Sequence, residues 1–117
     1  MDGMSDIVNL TPHPLIVVDE EGRELLSVAP SGTPLRLKET RRGSRTIAVG
    51  EVAVEIEEVS YAEPSTALPE PREGVLYFVS MLTALSLRDR EDLVFPLSVV
   101  RDGDGRIIGC RSFGRIR

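Results

Sequence analysis

The apolar residues of this chain fall in short runs that glycine and proline repeatedly interrupt, and this pattern constrains the fold more than any other feature. Residues 35–38 alternate apolar and basic side chains, which is the period of a half-buried strand. Convincing helical spacing occurs only over residues 80–87, where Ser80 is a favoured N-cap. We therefore predict an α+β fold: a mainly antiparallel, strongly bent sheet or small barrel with one short helix.

Turn signals divide several of the strands into hairpins. Residues 15–19 and 23–29 flank a turn that ends at Gly22, and residues 99–101 and 106–111 flank the sequence Asp-Gly-Asp-Gly. The second turn, with Asp102 and Asp104, resembles the start of a calcium-binding loop. The position of the bidentate glutamate that closes such a loop is occupied here by Phe113, so a calcium site is not expected. We predict a hairpin at both turns.

The middle of the chain offers weaker signals. Residues 40–44 are polar and basic and contain a glycine, so we predict a hairpin tip there. Residues 46–49 and 52–59 then form either a pair around Gly50 or one bulged strand. The three prolines of residues 61–74 predict an irregular connection.

The last third of the chain begins with its most apolar strand. Residues 75–79 are nearly all apolar, which is typical of a strand buried on both faces, so we place this strand at the centre of the sheet. Residues 93–95 predict a further short strand that stops at Pro96.

The length and the composition of the chain limit the class of protein to which it can belong. A length of 117 residues suits a single domain, residues 1–117, with a core of Val, Leu and Ile. The single cysteine, Cys110, excludes an internal disulfide and a Cys-rich zinc site and suits a reducing compartment. The N-terminus has no signal-peptide pattern and no apolar run approaches a membrane span, so we expect a cytoplasmic protein. No motif indicates a cofactor.

Charge is distributed unevenly along the chain. The net charge of −5 argues against general binding to nucleic acid or to anionic lipid. Residues 35–47 are nevertheless basic, residues 51–73 are acidic, and the tail after Arg101 is basic again. The ordinary interpretation is that these are solvated faces that attract one another within the fold.

Several short segments, distributed along nearly the whole chain, form a pattern that can be compared with known families. They are Val8-Asn9-Leu10-Thr11-Pro12-His13, Pro30-Ser31-Gly32-Thr33, Leu76-Tyr77-Phe78-Val79-Ser80, Arg90-Glu91-Asp92-Leu93-Val94, and Val100-Arg101-Asp102 with Gly105-Arg106-Ile107-Ile108-Gly109-Cys110-Arg111-Ser112. Together they resemble a family of small uncharacterised proteins of bacteriophages and bacteria. The chain departs from the family's pattern between Lys38 and Pro71. The resemblance implies a phage or prophage accessory setting and transfers no catalytic residues.

The junction at Ser80 is one candidate binding site. A strand that runs directly into a capped helix points backbone N–H groups at one spot, and that spot suits an anion. Arg101 and Arg111 lie on either side of a tight turn, so they are expected as cross-strand neighbours whose guanidinium groups converge on a phosphate. The alternative interpretation of Ser80 is an ordinary N-cap.

His13 and Cys110 are the only histidine and the only cysteine. His13 sits between two prolines at a strand end, where it either bonds carbonyls of the turn or lines a site. Cys110 alternates with Ile108, which predicts a small buried structural residue. A catalytic role would require His13 and Cys110 to be adjacent, with an orienting side chain such as Asn9.

These observations favour a small non-enzymatic binding protein, a phage-type accessory factor that captures a small anionic, nucleotide-like ligand. The expected ligand-binding residues are His13, Ser80, Arg101 and Arg111. The alternative is a protein–protein adaptor or host-factor inhibitor that uses residues 35–47 or an exposed strand edge. A Cys110-dependent enzyme is the least favoured hypothesis. A homo-oligomer formed through a sheet edge is compatible with the apolar strands.

Overall fold

Strands make up most of the residues that the computed structural model describes, which are 6–32, 34–64 and 68–117. In chain order the elements are β1 (Asp6–Asn9), β2 (Leu15–Val18), β3 (Glu24–Val28), β4 (Leu37–Val49), β5 (Val52–Pro64), β6 (Val75–Phe78), α1 (Met81–Ser86), β7 (Leu93–Arg101) and β8 (Ile107–Gly114). The prediction of a mostly β fold with one short helix is confirmed for this part of the chain.

Six of the strands form one mixed sheet in the order β1-β6-β7-β8-β2-β3. β6 runs parallel to β1 and to β7, and β2 runs parallel to β8, whereas β7–β8 and β2–β3 are antiparallel hairpins. Together with the separate β4–β5 pair, these hairpins place most paired residues in antiparallel ladders. The small-barrel alternative is wrong, because β1 and β3 remain the two ends of an open sheet.

The two ends of this sheet approach each other at Asn9. Its Nδ2 donates a hydrogen bond to the carbonyl of Val28 at 3.1 Å, and the N–H of Ser31 donates to the carbonyl of Asn9 at 2.9 Å. These bonds connect the end of β1 to the end of β3 and to the segment behind it. The sheet is therefore curved enough to bring its ends together by side-chain and loop contacts, without a strand ladder among the described pairs.

The core lies on both faces of β6 and β7, since alternate residues of these strands belong to two different buried clusters. The first cluster includes Tyr77, Val79, Leu93 and Phe95, and the second includes Leu15, Phe78, Val94 and Cys110. The helix α1 packs on the first cluster through Ala84. The prediction that residues 75–79 form a central strand is met only in part: β6 is an interior strand between β1 and β7, but it neighbours the edge strand β1, and β7 and β8 occupy the centre.

The strands β4 and β5 form a separate two-stranded ladder, which we call the arm. Its residues pair from Leu37 with Pro64 at the base to Val49 with Val52 near the tip, and every residue of β4 after Leu37 is exposed. The radius of gyration of 17.7 Å exceeds the roughly 13 Å of a compact chain of this length. The arm therefore projects from the six-stranded sheet.

The hairpin tip predicted at residues 40–44 is wrong. These residues lie inside β4, where Gly43, with a φ of 61°, forms a bulge between Arg42 and Ser44. The tip is a two-residue turn that begins at Gly50, whose φ of 62° suits the first central position of a type II′ turn. A basic, glycine-containing segment can continue a strand here because both faces of the arm meet solvent, so neither face has to be apolar.

Both hairpins predicted from turn signals are confirmed, as β2–β3 and β7–β8. The two turns share one construction. An aspartate carboxylate accepts hydrogen bonds from the N–H groups two and four residues later, and the glycine three residues later has a positive φ. These residues are Asp19, Glu21, Gly22 and Arg23 in the first turn, and Asp102, Asp104, Gly105 and Arg106 in the second.

The strand end predicted at Pro96 is also wrong, since β7 continues to Arg101. Pairing with β6 covers only Leu93 and Val94, whereas Pro96 pairs with Phe113 of β8. Beyond Val94, β7 thus has one ladder partner, and a residue without an N–H is tolerated at such an edge.

The predicted irregular connection begins later than expected, because residues 61–64 continue β5. Residues 68–74 contain no strand. Residues 65–67 of this connection, and residues 1–5 in which the signal-peptide prediction begins, lie outside the described residues.

Candidate functional site

A wide cleft of about 1000 Å³ opens between the base of the arm and the six-stranded sheet. Its walls come from residues 11–16, from the start of α1, from the arm and from the β7–β8 hairpin. Much of its lining is apolar, through residues such as Leu15, Phe78, Val79 and Leu82. A concave, largely apolar surface with a few polar groups is the usual form of a binding site.

The wall between β1 and β2 is held in place by Asn9, whose side chain is buried. Asn9 Nδ2 donates to the carbonyl of His13 at 2.7 Å, and Asn9 Oδ1 accepts the N–H of Thr11 at 2.9 Å. Thr11 Oγ1 also donates to Asn9 Oδ1 at 2.7 Å. With the bond to Val28, both ends of the amide are satisfied, so the loop that presents His13 is fixed at its base.

Ser80 caps α1, as predicted. Its Oγ accepts the N–H of Thr83 at 3.2 Å and donates to Thr83 Oγ1 at 3.0 Å. The helix behind it is six residues long, and its cap hydroxyl is engaged within the helix itself. The N-cap interpretation therefore accounts for these contacts, while Ser80 also lines the cleft.

The arm brings polar groups to the opposite wall. Glu39 and Tyr61 are paired across the β4–β5 ladder, and Tyr61 Oη donates to Glu39 Oε1 at 3.4 Å. Arg41 Nε donates to Glu39 Oε2 at 3.3 Å, and Arg36 lines the cleft just before β4 begins. This wall consequently presents a carboxylate, a phenol and a guanidinium beside the apolar floor.

The structure brings two of the four predicted ligand residues to the cleft, His13 and Ser80. Arg101 and Arg111 are absent from its described lining. Arg101 Nη1 donates at 2.9 Å to a glycine carbonyl in its own hairpin turn, and Arg111 Nη2 lies 3.8 Å from Glu20 Oε1. The expected convergence of these arginines beside Ser80 is not observed.

The register of the β7–β8 hairpin explains this correction. Arg101 pairs with Ile107, and Val99 pairs with Cys110. Val99 and Arg101 are two residues apart and share a face, whereas Arg111 follows Cys110 and points to the other face. The two guanidinium groups therefore leave opposite faces of the hairpin.

Cys110 is buried, with 3% of its surface exposed, in the cluster that contains Phe78 and Val94. Burial raises the pKa of the Cys110 thiol. A nucleophilic cysteine needs the opposite shift, because the thiolate is the reactive form. Although Cys110 and His13 both border the cleft, the environment of the thiol matches the predicted role of a small buried hydrophobe.

Among the described residues of 6–32, 34–64 and 68–117, no three His, Cys, Asp or Glu side chains are grouped as metal ligands, and every buried side-chain nitrogen or oxygen has a hydrogen-bond partner. No helix in the described part of the chain is long and apolar enough to cross a membrane.

Two contributions to the cleft were missed by reasoning from sequence. The arm residues Glu39 and Tyr61 could not be placed, because their pairing depends on a register that the misplaced hairpin tip obscured. Asn9 did have a local signal: an asparagine at a strand end, two residues before Thr11 and shortly before a segment with two prolines, is typical of a side chain that bonds its own turn.

Comparison of the chain with protein-family models, with curated proteins and with solved structures finds no match. The cleft and the arm are therefore the features of this chain that bear on its function.

Proposed function

We propose that this chain is a non-enzymatic adaptor that binds an extended segment of another protein in the cleft. The observation that carries the proposal is an unpaired strand edge next to the cleft. Leu97, Val99, Val100 and Arg101 of β7 pair with β8 alone among the described strands, and Val99 lines the cleft. Ser98, with a φ of 53°, interrupts the extended backbone, so the free edge that can add a strand is residues 99–101. An extended peptide adds to such an edge through main-chain hydrogen bonds.

The lining of the cleft supports the same proposal. In an added strand, alternate side chains point to opposite sides, so one set faces the protein. Leu82 and Phe78 offer apolar contacts to that set, and Glu39 and Tyr61 offer polar contacts at the wall. Main-chain bonds then supply affinity, and the side-chain contacts supply selectivity.

The proposal includes a biological setting. The resemblance to bacteriophage and bacterial proteins supports a phage-type accessory factor or host-factor inhibitor. The single free thiol, Cys110, suits the reducing conditions of a cytoplasm.

A peptide selection with a matched pair of variants tests the proposal. Peptides are selected from a random library on the immobilised protein, and the dissociation constant of an enriched peptide is measured by fluorescence polarisation. Leu82 and Leu85 are both 42% exposed on α1, but only Leu82 is among the described lining residues. We expect Leu82→Glu to weaken binding by about tenfold or more, and Leu85→Glu to change it by less than about twofold.

Either of two results would overturn the adaptor proposal. One is the failure of the selection to enrich any peptide. The other is an enriched peptide whose affinity is equally unaffected by Leu82→Glu and by Leu85→Glu.

A second candidate function is capture of a small anionic, nucleotide-like ligand in the same cleft. It is favoured by the presence of His13, Ser80 and Arg36 around one opening. A thermal-shift screen with nucleotides tests it, because a ligand that binds only the folded state raises the melting temperature. A nucleotide-dependent rise that disappears in Arg36→Ala would favour this function, and no rise with any nucleotide would reject it.

A further inference from the structure

The outer half of the arm carries an apolar face that remains exposed. The register pairs Ile47 with Val54 and Val49 with Val52, and Ile56 lies two residues beyond Val54 on the same face. All five side chains are exposed, from 36% for Ile47 to 62% for Val52. We call these five residues the apolar arm face.

Folding of the six-stranded sheet does not account for the apolar arm face. Neither of the buried clusters described above contains any of its residues. A two-stranded ladder is only marginally stable alone in water, and contiguous exposed apolar side chains typically mark an interaction surface. A partner that covers this face would remove the apolar surface from water and stabilise the ladder.

The two strands of the arm carry opposite charges, which restricts how two arms can meet. Basic residues on β4 include Lys38, Arg41, Arg42 and Arg45, and acidic residues on β5 include Glu55, Glu57 and Glu58. Pairing two copies edge to edge would place β4 against β4 or β5 against β5, and therefore like charges side by side. Edge pairing between two copies is disfavoured for this reason.

Face-to-face packing gives the opposite result. When two arms lie parallel around a two-fold axis that runs along them, β4 of each copy lies over β5 of the other. The apolar arm faces then cover each other, as in sheet-on-sheet packing. Arg42 and Glu58 are paired in register on that same face, so Arg42 of one copy lies at the level of Glu58 in the second copy.

We propose that the arm is a homodimerisation element, in which two copies bury their apolar arm faces against each other with β4 over β5. The occupant of this face is thus a second copy of the chain, selected by the charge complementarity of the two strands. The proposal goes beyond the function assigned to the cleft and does not rest on it.

The size of the arm sets the expected strength of the dimer. Each strand has 13 residues, which corresponds to a length of about 40 Å. Two such faces bury on the order of 1,000 Å² in total, at the small end of specific interfaces. We therefore expect a dissociation constant in the micromolar range and a mass that depends on concentration.

Sedimentation velocity of the full chain over a concentration series tests the proposal. Val54 lies on the apolar arm face, whereas the adjacent Ala53 pairs with Ala48 on the opposite face, so the same substitution can be placed on either face. We expect Val54→Glu to weaken dimerisation by about tenfold or more, and Ala53→Glu to weaken it by less than about threefold. Because the arm lies outside both buried clusters, the melting temperatures of both variants at low concentration should match the wild type.

A charge exchange tests the specific arrangement of the strands. Arg42→Glu alone places a carboxylate over Glu58 of the second copy, and Glu58→Arg alone places a guanidinium over Arg42 of the second copy. Neither variant should therefore dimerise well with itself, because like charges face each other at both contacts. This loss reports the arrangement of the strands, because with β4 over β4 like charges would already face each other in the wild type and neither variant would change that. Mixed in equal amounts, the two variants should form a heterodimer, because one chain brings two carboxylates and the other two guanidiniums to positions 42 and 58.

The mixed pair restores the charge contacts of the wild-type dimer. In the mixed pair, position 42 of the Arg42→Glu chain lies over position 58 of the Glu58→Arg chain, which joins a carboxylate to a guanidinium. The other contact joins the unchanged Arg42 of the second chain to the unchanged Glu58 of the first. Opposite charges are thus restored at both contacts, and native mass spectrometry should show a heterodimer.

Three outcomes would overturn the homodimer proposal. They are a wild-type chain that stays monomeric at concentrations up to the millimolar range, a dimer equally weakened by Val54→Glu and Ala53→Glu, and a mixture of the charge variants that forms no heterodimer. Failure of the cleft proposal would appear separately, since Leu82→Glu should leave dimerisation unchanged.

Discussion

At the scale of single residues, two polar clusters fix connections that the sheet itself does not control. Asn9 fixes the loop that presents His13. Arg90 holds the segment before β6: its guanidinium donates to both oxygens of Asp92 at 2.7 and 2.8 Å and to the carbonyl of Pro69 at 2.7 Å. It also lies 5.9 Å from the centre of the Tyr77 ring, within range of a cation–π contact.

The substitution Asn9→Asp tests the first cluster, because it keeps the shape of the side chain and removes its N–H donors. The carbonyls of His13 and Val28 then lose their buried partner, and a charge is placed in a buried position. We expect the free energy of unfolding to fall by about 2–4 kcal/mol in urea titrations. Thr11→Ser, which keeps the hydroxyl, serves as the control, and a wild-type stability for Asn9→Asp would contradict the interpretation.

The second cluster predicts a dependence of stability on pH. The hydrogen bond from Arg90 lowers the pKa of Asp92 below its ordinary value. The folded state therefore gains stability from the charged carboxylate above about pH 4, and this gain is lost as the pH falls through the lowered pKa. Urea titrations of Asp92→Asn should show a deficit of about 1–2 kcal/mol near neutral pH that shrinks as the pH falls below the ordinary aspartate value of about 4.

A matched control separates this effect from general acid sensitivity. Asp89 is an exposed carboxylate three residues from Asp92. Asp89→Asn should leave the free energy of unfolding nearly unchanged across the same pH series. A deficit in Asp92→Asn that stays constant from neutral to acidic pH would contradict the role given to the Arg90–Asp92 contact.

At the scale of elements, the two hairpins of the large sheet meet at a narrow seam between β2 and β8. The parallel pairing between these strands is a single bridge, Val17 with Cys110. Gly109, next to this bridge, lets the backbones approach: a Cβ there would lie 2.9 Å from the carbonyl oxygen of Ile16 and 3.0 Å from Cγ1 of Val18. A residue without a side chain is required at this position because the obstacle is partly backbone.

The seam predicts different effects for alanine at two glycines of one hairpin. Gly109→Ala should lower the free energy of unfolding by about 1–3 kcal/mol, since overpacking forces the strands apart. Gly103→Ala, in the turn of the same hairpin, introduces a Cβ with no atom within 4 Å, and its effect should stay within about 0.5 kcal/mol. Thermal or urea denaturation measures both, and equal stability of the two variants would contradict this account of the seam.

The elements that sequence reasoning predicted well are those determined by nearby residues. The aspartate turns at Asp19 and Asp102 and the cap at Ser80 depend on hydrogen bonds within four residues, so their signals are visible in the sequence. The extent of β4 and the course of β7 past Pro96 depend on which strands lie alongside. Such partners are not identified by local pattern, and residues 38–46 of β4, which are exposed and polar, show no apolar alternation that would mark them as a strand.

At the scale of the whole molecule, local sequence patterns and long-range strand pairings determine different parts of the fold. The short apolar runs predicted a mostly β fold, but the strand order and the projecting arm follow from long-range pairings that no local pattern specifies. The candidate site shares this limit. His13 and Ser80 were identified one by one, whereas the cleft that brings them together exists only because the arm base stands beside the sheet.

Shortening the arm tests whether the body of the protein is independent of it. Thr46 and Glu55 are paired across the ladder, so residues 46–55 can be replaced by Asn-Gly without a change of register. We expect the melting temperature to change by less than about 3 °C, because neither described buried cluster contains a residue of the replaced segment. Small-angle scattering should show a radius of gyration several ångströms smaller, and cooperative unfolding at a much lower temperature would contradict this independence.

The bulge at Gly43 and the two-residue turn at Gly50 also mark the ends of a regular ladder whose length can change. When residues are added or removed in cross-strand pairs between these glycines, the body and the cleft wall at Glu39 and Tyr61 stay unchanged. Each added pair turns the side chains beyond it to the opposite face of the arm. The length of the arm can therefore change by whole cross-strand pairs while the strand pairing at its base stays the same.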